Sequence, residues 1–165
     1  MKCHLLVIAS FLLLFACQQE KQAASQAPPA ATQAPVAAPA PALPSLPVAT
    51  IEKLFNECDH IDYVFYELPI SMSLDEKPSI QNALRFISDT PASRRPDCKG
   101  IGRILYHVKG DIALEGEIFF SGNCTYFIFL EKGKPTYGNL MTEDGVKNFQ
   151  GIIERGMNLS KQKGG

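Results

Sequence analysis

The stretch RILYHVKGDIALEGEIFFSGNCTYFIFLEKGKPTYGNL, residues 103–140, decides the fold. Three short breaks divide it, and each contains a glycine: Lys109-Gly110-Asp111, Ser121-Gly122-Asn123 and Lys132-Gly133-Lys134. Glycine supplies the positive φ that tight hairpin turns require. The runs between the breaks are Arg103–Val108, Ile112–Phe120, Cys124–Glu131 and Pro135–Leu140, rich in β-branched and aromatic residues. They read as four strands of an antiparallel meander. Pro135 has no N–H to give to a ladder, which places the fourth strand at an edge.

Toward the N-terminus the hydrophobic period lengthens to that of a helix. Behind Thr50 as N-cap, Ile51, Leu54, Phe55 and Cys58 share one helical face. The segment Ile61–Leu68 carries two patterns. Tyr63, Val64, Phe65 and Tyr66 favour a strand, while Ile61, Phe65 and Leu68 would continue the helical stripe. It is read as a further strand that Pro69 ends. Pro78 opens a second helix with Ile80, Ala83, Leu84 and Ile87 at helical spacing, and Pro91 closes it. Asp89–Gly100 is a polar loop. On the far side of the meander, Thr142 caps a last helix with Glu143 and Asp144 in its first turn. Its expected buried stripe is Val146, Phe149, Ile153 and Met157, and Ser160–Gly165 is expected to fray. The expectation is an α+β domain over residues 50–165: an antiparallel β-meander of four to five strands packed with about three helices.

Alternation assigns faces. Ile104, Tyr106 and Val108, then Ile112, Leu114, Ile118 and Phe120, then Tyr126, Ile128 and Leu130 are expected under the helices. The other side then carries His107, Glu115, Glu117, Phe119, Phe127 and Phe129. An open patch of His107 with Phe119, Phe127 and Phe129 would be a binding face. A second small core, beneath the first helix or the Ile61–Leu68 segment, is the other reading of the same residues.

Catalytic motifs are absent from the sequence: no Gly-x-Ser-x-Gly, no phosphate loop, no His-Glu-x-x-His and no dinucleotide fingerprint occurs. Glu115 and Glu117 lie two apart on one strand face, a carboxylate pair of the kind used in glycoside hydrolysis, but charged residues facing solvent explain them as well. Glu57-Cys58-Asp59-His60-Ile61-Asp62 is rich in metal-ligand types, yet neighbours at a helix end do not converge on one point. A solvated terminus, with His60 near the helix dipole, is expected there. No metal and no cofactor is expected. Arg94, Arg95 and Lys99 read as a solvated loop. Setting aside Lys2, Lys21 and Glu20 leaves 14 Lys and Arg against 16 Asp and Glu, a difference of −2. With no basic stripe, nucleic acid is an unsuitable partner. Asn123-Cys124-Thr125 and Asn158-Leu159-Ser160 match glycosylation acceptors and are read as coincidences.

The N-terminus supplies an address. Lys2 is a short positive region, Leu5–Phe15 an apolar run too short to span a bilayer as a mature helix, and Leu14-Phe15-Ala16-Cys17 follows. This tetrapeptide resembles the lipobox of bacterial lipoproteins. The resemblance implies a signal peptide over residues 1–16, lipidation of Cys17, and attachment to membrane lipid by acyl chains. It also implies exposure on the periplasmic or cell-surface side. Gln18 rather than Asp after the anchor resembles an outer-membrane address. Residues 17–49, anchor cysteine included, are dominated by Ala, Pro, Gln and Ser, with Glu20 and Lys21 the only charges. Such a run is expected to stay disordered and act as a tether, reaching up to about 90 Å at ~3.1 Å per residue. With Cys3 and Cys17 set aside by this resemblance, Cys58, Cys98 and Cys124 compete for one disulfide. Cys98–Cys124 joins two positions where the backbone can adjust; Cys58–Cys98 is its rival. The functional expectation is a membrane-anchored protein with a small non-enzymatic binding or accessory domain that contacts an envelope or surface protein. Alternatives are a small envelope hydrolase, a thiol-redox protein, or an inhibitor acting through the Ser121–Asn123 hairpin loop.

Overall fold

The computed structural model describes residues 42–163; the lipobox-like Leu14-Phe15-Ala16-Cys17 and most of the expected tether lie outside them. The element order is α1 (Val48–Glu57), β1 (His60–Phe65), β2 (Ser71–Leu74), α2 (Lys77–Leu84), β3 (Ile87–Pro91), β4 (Gly100–Val108), β5 (Asp111–Ser121), β6 (Cys124–Glu131), β7 (Lys134–Met141) and α3 (Glu143–Lys163). The class is α+β. The strands form one antiparallel sheet in the order β2-β1-β4-β5-β6-β7-β3. It has seven strands, not the four to five expected.

The meander follows from its turns. Lys109-Gly110 and Lys132-Gly133 both have positive φ, at 55° and 85° and at 52° and 75°. Two left-handed residues in succession match the twist of the flanking strands, so Val108 pairs with Asp111 and Glu131 with Lys134. Gly122 turns the chain between Ser121 and Cys124.

The two added strands are short. In β2, Met72 and Leu74 alternate with Ser71 and Ser73, and the strand pairs with β1 through Ile61↔Leu74 and Tyr63↔Met72. β3 begins where the second helix was expected to continue. Helix α2 stops at Leu84, because Phe86 gives its carbonyl to Thr142 N–H (2.9 Å) and Ile87 pairs with Met141. Long-range pairing outcompetes one more helical turn, and Pro91 holds Thr90 extended. Strand β7 is therefore not the edge. Its leading Pro135 is tolerated because β3 pairs only with the far end of β7, at Asn139 and Met141.

The first helix begins at Val48 rather than Thr50, with Pro47 as its N-cap. Residues 43–46, assigned to the tether by sequence, are a strap on the sheet. Leu43 N–H donates to Ala92 O (3.2 Å), Gly138 N–H to Pro44 O (3.0 Å), and Ser45 Oγ to Asp89 O (2.7 Å). Leu43 packs on one face of the sheet and Leu46 in the core on the other, so the strap wraps the β7 side. Gly138 makes this approach feasible, since a Cβ there would collide with the Ala92 carbonyl oxygen. Asn139 is the one buried polar residue among those described. Its Oδ1 accepts from Leu46 N–H at 2.9 Å, and its Nδ2 donates to Ser88 O at 2.8 Å.

The main core lies between the helices and one sheet face: Leu54, Cys58, Ile61, Tyr63, Ile80, Leu84, Ile104, Tyr106, Leu114, Ile118, Phe127, Phe129 and Phe149. The stripe of α3 differs from the expected one. Phe149, Ile152 and Gly156 are buried, Ile153 is half-buried, and Met157 is 45% exposed. Gly156 sits under Leu68 and Ile70 of the β1–β2 connection, so that loop sets the rotation of the helix. Thr142 caps α3 by accepting Gly145 N–H on Oγ1 (3.2 Å), and the helix runs on to Lys163 through the segment expected to fray.

Replacing Asn139 by Leu keeps the volume but orphans the Leu46 N–H and the Ser88 carbonyl. The expected loss is about 2–4 kcal/mol, read as a fall in the urea midpoint at unchanged slope. A loss below roughly 0.5 kcal/mol, the range of a surface substitution, would show that the clamp is not a structural requirement.

Candidate functional site

The aromatic binding face anticipated from sequence does not form. Phe119, Phe127 and Phe129 are 0%, 1% and 0% exposed, and they do not share a face. The register pairs Ile118 with Phe127 and Phe119 with Tyr126. Phe127 and Phe129 therefore face the helices, while Tyr126 and Ile128 face the other side with Phe119. Strand β6 has the opposite phase to the one expected.

The second face carries its own small core of Ala92, Phe119, Cys124, Tyr126 and Ile128, with Leu43 and Cys98 against it. Its cover is neither the first helix nor the Ile61–Phe65 strand. It is the loop after β3, held by several contacts. Cys98 and Cys124 form a disulfide with Cα atoms 5.8 Å apart. Arg95 N–H donates to Tyr126 Oη at 3.2 Å. Arg94 lies over the Phe119 ring, 5.7 Å from its centroid, and pairs with Glu117 at 3.2 Å. The charges of this loop are exposed, as expected of a solvated loop, and pair at the surface: Arg95 with Asp97, and Lys99 with Glu67 of the β1–β2 connection.

His107 stands on the same face at the other end of the sheet. Strand pairing puts it opposite His60, with ring centroids 5.2 Å apart in an edge-on contact. Asp62 lies between them. His60 Nε2 is 3.0 Å from Asp62 Oδ1, and His107 Nε2 is 3.3 Å from Oδ2, at ion-pair distance but without the alignment of a hydrogen bond. Ser73 Oγ donates to Asp62 at 2.6 Å, and Asp75 binds His60 Nδ1. His60 is therefore a strand residue within a carboxylate cluster, not a helix-terminal residue. Asp59 turns away and accepts Lys109 N–H at 2.7 Å, securing the β4–β5 turn. Among the described residues no three His, Cys, Asp or Glu side chains are arranged to hold a metal ion.

The carboxylates of Asp75 and Asp62, accepting hydrogen bonds from the His60 ring, raise its pKa above 6.5. The Ser73 hydroxyl, and then His60, hold the Asp62 carboxyl below its ordinary 3.8. Glu115 and Glu117, the candidate catalytic pair, are engaged by Arg103 (2.7 Å) and Arg94 (3.2 Å). Cys58 is free and buried, and burial pushes its thiol pKa up, opposite to what a nucleophilic or redox-active thiol needs.

The concave feature is on the helix face. A groove of about 940 Å³ opens between α1 and the tips of the β4–β5 and β6–β7 hairpins. Leu46, Leu54 and Leu114 lie beneath it, and Ile112, 56% exposed, stands at its mouth. Lys53 rises from the helix wall; Lys132 and Lys134 rise from the hairpin wall. Sequence reasoning missed this groove because its walls meet only after α1 is seated by the strap. Its nearest signal was Ile112, an apolar residue directly after a hairpin turn.

The fold and groove together define a small antiparallel α+β domain with an amphipathic cleft. No protein-family model, curated protein or solved structure matches the chain.

The His60 cluster makes stability depend on pH with a definite sign. A raised folded pKa contributes stability that is complete below about 6.5 and lost as pH rises through the folded value. The Asp62 contribution is present above about 3.8 and lost as pH falls through its depressed value. The urea midpoint is expected to decline from pH 6 to 9, and His60→Ala should flatten that decline. An unchanged slope in the variant would contradict the assignment.

Proposed function

We propose that this chain is a lipid-anchored envelope protein whose α+β domain is a non-enzymatic binding module, attached through acylated Cys17 and facing a protein partner. The observation that carries the binding reading is the contrast between the two faces. On the sheet face Glu115 is paired with Arg103, Glu117 with Arg94, and Asp62 with His60. The groove between α1 and the hairpin tips is open, with apolar residues beneath charged ones. Such a surface suits recognition better than bond-making. The anchor reading rests on Leu14-Phe15-Ala16-Cys17 and on the Ala/Pro-rich run that follows. The Cys98–Cys124 disulfide agrees with an oxidising compartment, and Gln18 favours the outer membrane.

Two measurements test the two halves. In a bacterial host, labelled palmitate is expected to enter the wild-type chain and not Cys17→Ser, which should accumulate unprocessed; labelling that survives the substitution contradicts the anchor. A photo-crosslinking side chain at Ile112 is expected to give a discrete adduct in intact cells, and one at Glu154, on exposed α3, should not. Equal adducts at both positions, or none at Ile112, would contradict the binding site.

A further inference from the structure

The groove walls carry three cations that have no ion-pair partner among the described residues; Arg85, Lys109 and Arg155 have none elsewhere, but here the three border a cleft with an apolar floor. Among the described residues, Lys53, Lys132 and Lys134 enter no ion pair, whereas Arg94, Arg95, Lys99, Arg103 and Lys147 each have a carboxylate. The two glutamates lining the groove do not neutralise them. Glu115 is held by Arg103 at 2.7 Å; Glu131 accepts the Tyr137 hydroxyl at 3.2 Å and stays an anion, so three lysines face one uncompensated carboxylate. The first turn of α1, which contributes Ala49 and Thr50 to the lining, carries no acidic residue, so the positive end of that helix adds to the field.

The three lysines come from two separate elements. One stands on the helix wall and two on the hairpin wall, with the apolar floor of Leu46, Leu54 and Leu114 between them. An acyl tail lying in an open cleft would keep one side in water and lose much of its burial energy. An extended peptide presents side chains alternately, so one can enter the floor while its neighbours face the rims. A cleft of about 940 Å³ is at the upper end of the roughly 300–1,000 Å³ common for ligand sites.

We propose that the groove binds an extended acidic segment of a partner protein, with an apolar side chain over Leu54 and Leu114 and flanking carboxylates on Lys53 and on Lys132 and Lys134. This rests on the binding-module reading and gives the partner its chemistry. Charge complementarity of this kind speeds encounter and selects the partner, and it weakens with salt.

The test uses the full-length protein in neutral detergent and a short labelled peptide alternating Asp or Glu with Leu. The peptide is expected to bind, to weaken as salt is raised, and to lose affinity by roughly tenfold or more in Lys53→Glu/Lys132→Glu/Lys134→Glu. All three lysines are exposed, so the variant should keep its circular dichroism and melting temperature. Ile112→Asp, at the mouth of the groove, should weaken the peptide too. The same peptide with Lys for each acid should not bind. Absence of binding, or equal affinity in the triple variant, overturns the proposal. A labelled fatty acid that binds in a lysine-dependent manner where the peptide does not overturns it in favour of an amphiphile. A cellular adduct at Ile112 that persists after charge reversal overturns it while leaving the binding-module reading in place.

Discussion

A single buried amide joins three parts of the chain that are distant in sequence. Asn139, on β7, accepts from Leu46 in the strap and donates to Ser88 in β3. Without it, two backbone groups would face each other across a buried gap with no partner. Strand β3 has few other sheet bonds, since its register with β7 is broken between Ile87 and Pro91. The strap has no side-chain packing of its own beyond Leu43 and Leu46. The clamp fixes Leu46, Leu46 precedes the proline that caps α1, and α1 is one wall of the groove. The shape of the candidate site therefore depends on a hydrogen-bond pair outside it. It also means that the chain enters the fold along the sheet, so that load from a tether would reach the strap before the helices.

The sheet is covered on both sides by different means. On one side, three helices provide a continuous apolar core. On the other, the irregular loop of residues 92–99 is held down by the Cys98–Cys124 disulfide, by Tyr126 and by the Arg94–Glu117 pair. A disulfide closing a loop of this length contributes on the order of 3 kcal/mol in the chain-entropy account. That division leaves the β2-β1-β4 end of the second face to the His60–Asp62–His107 cluster, in which His60, Asp62 and Ser73 are hydrogen-bonded and His107 Nε2 is not. The groove sets lysines of α1 and of the β6–β7 hairpin, none of them in an ion pair among the described residues, around an apolar floor.

How much of this was legible in the sequence depends on range. The hairpins were, because Lys109-Gly110 and Lys132-Gly133 carry their geometry locally. The cap of α3 at Thr142 was as well. Strand β2 was overlooked although Ser71-Met72-Ser73-Leu74 alternates correctly, since four residues barely exceed chance. The phase of β6 was misread for a physical reason. Tyr126, Phe127, Ile128 and Phe129 are all apolar because both faces of that strand are buried, so alternation carries no information there. The pairing of His60 with His107 depends on β1 lying beside β4, a crossover that no local pattern encodes. Asn139 gave no signal at all, being one polar residue in a strand that was expected to lie at an edge. The groove inherits that obscurity, because the strap that seats its helical wall was read as linker.

Amide hydrogen exchange at Leu46 in the full-length protein tests the central claim most directly. If the strap is an integral part of the sheet, its N–H is bonded to Asn139 and should exchange as slowly as the amides of β6, opening only with global unfolding. Exchange at the rate of an exposed loop, with β6 still protected, would show that the strap is not held by the clamp and that the groove has no fixed wall.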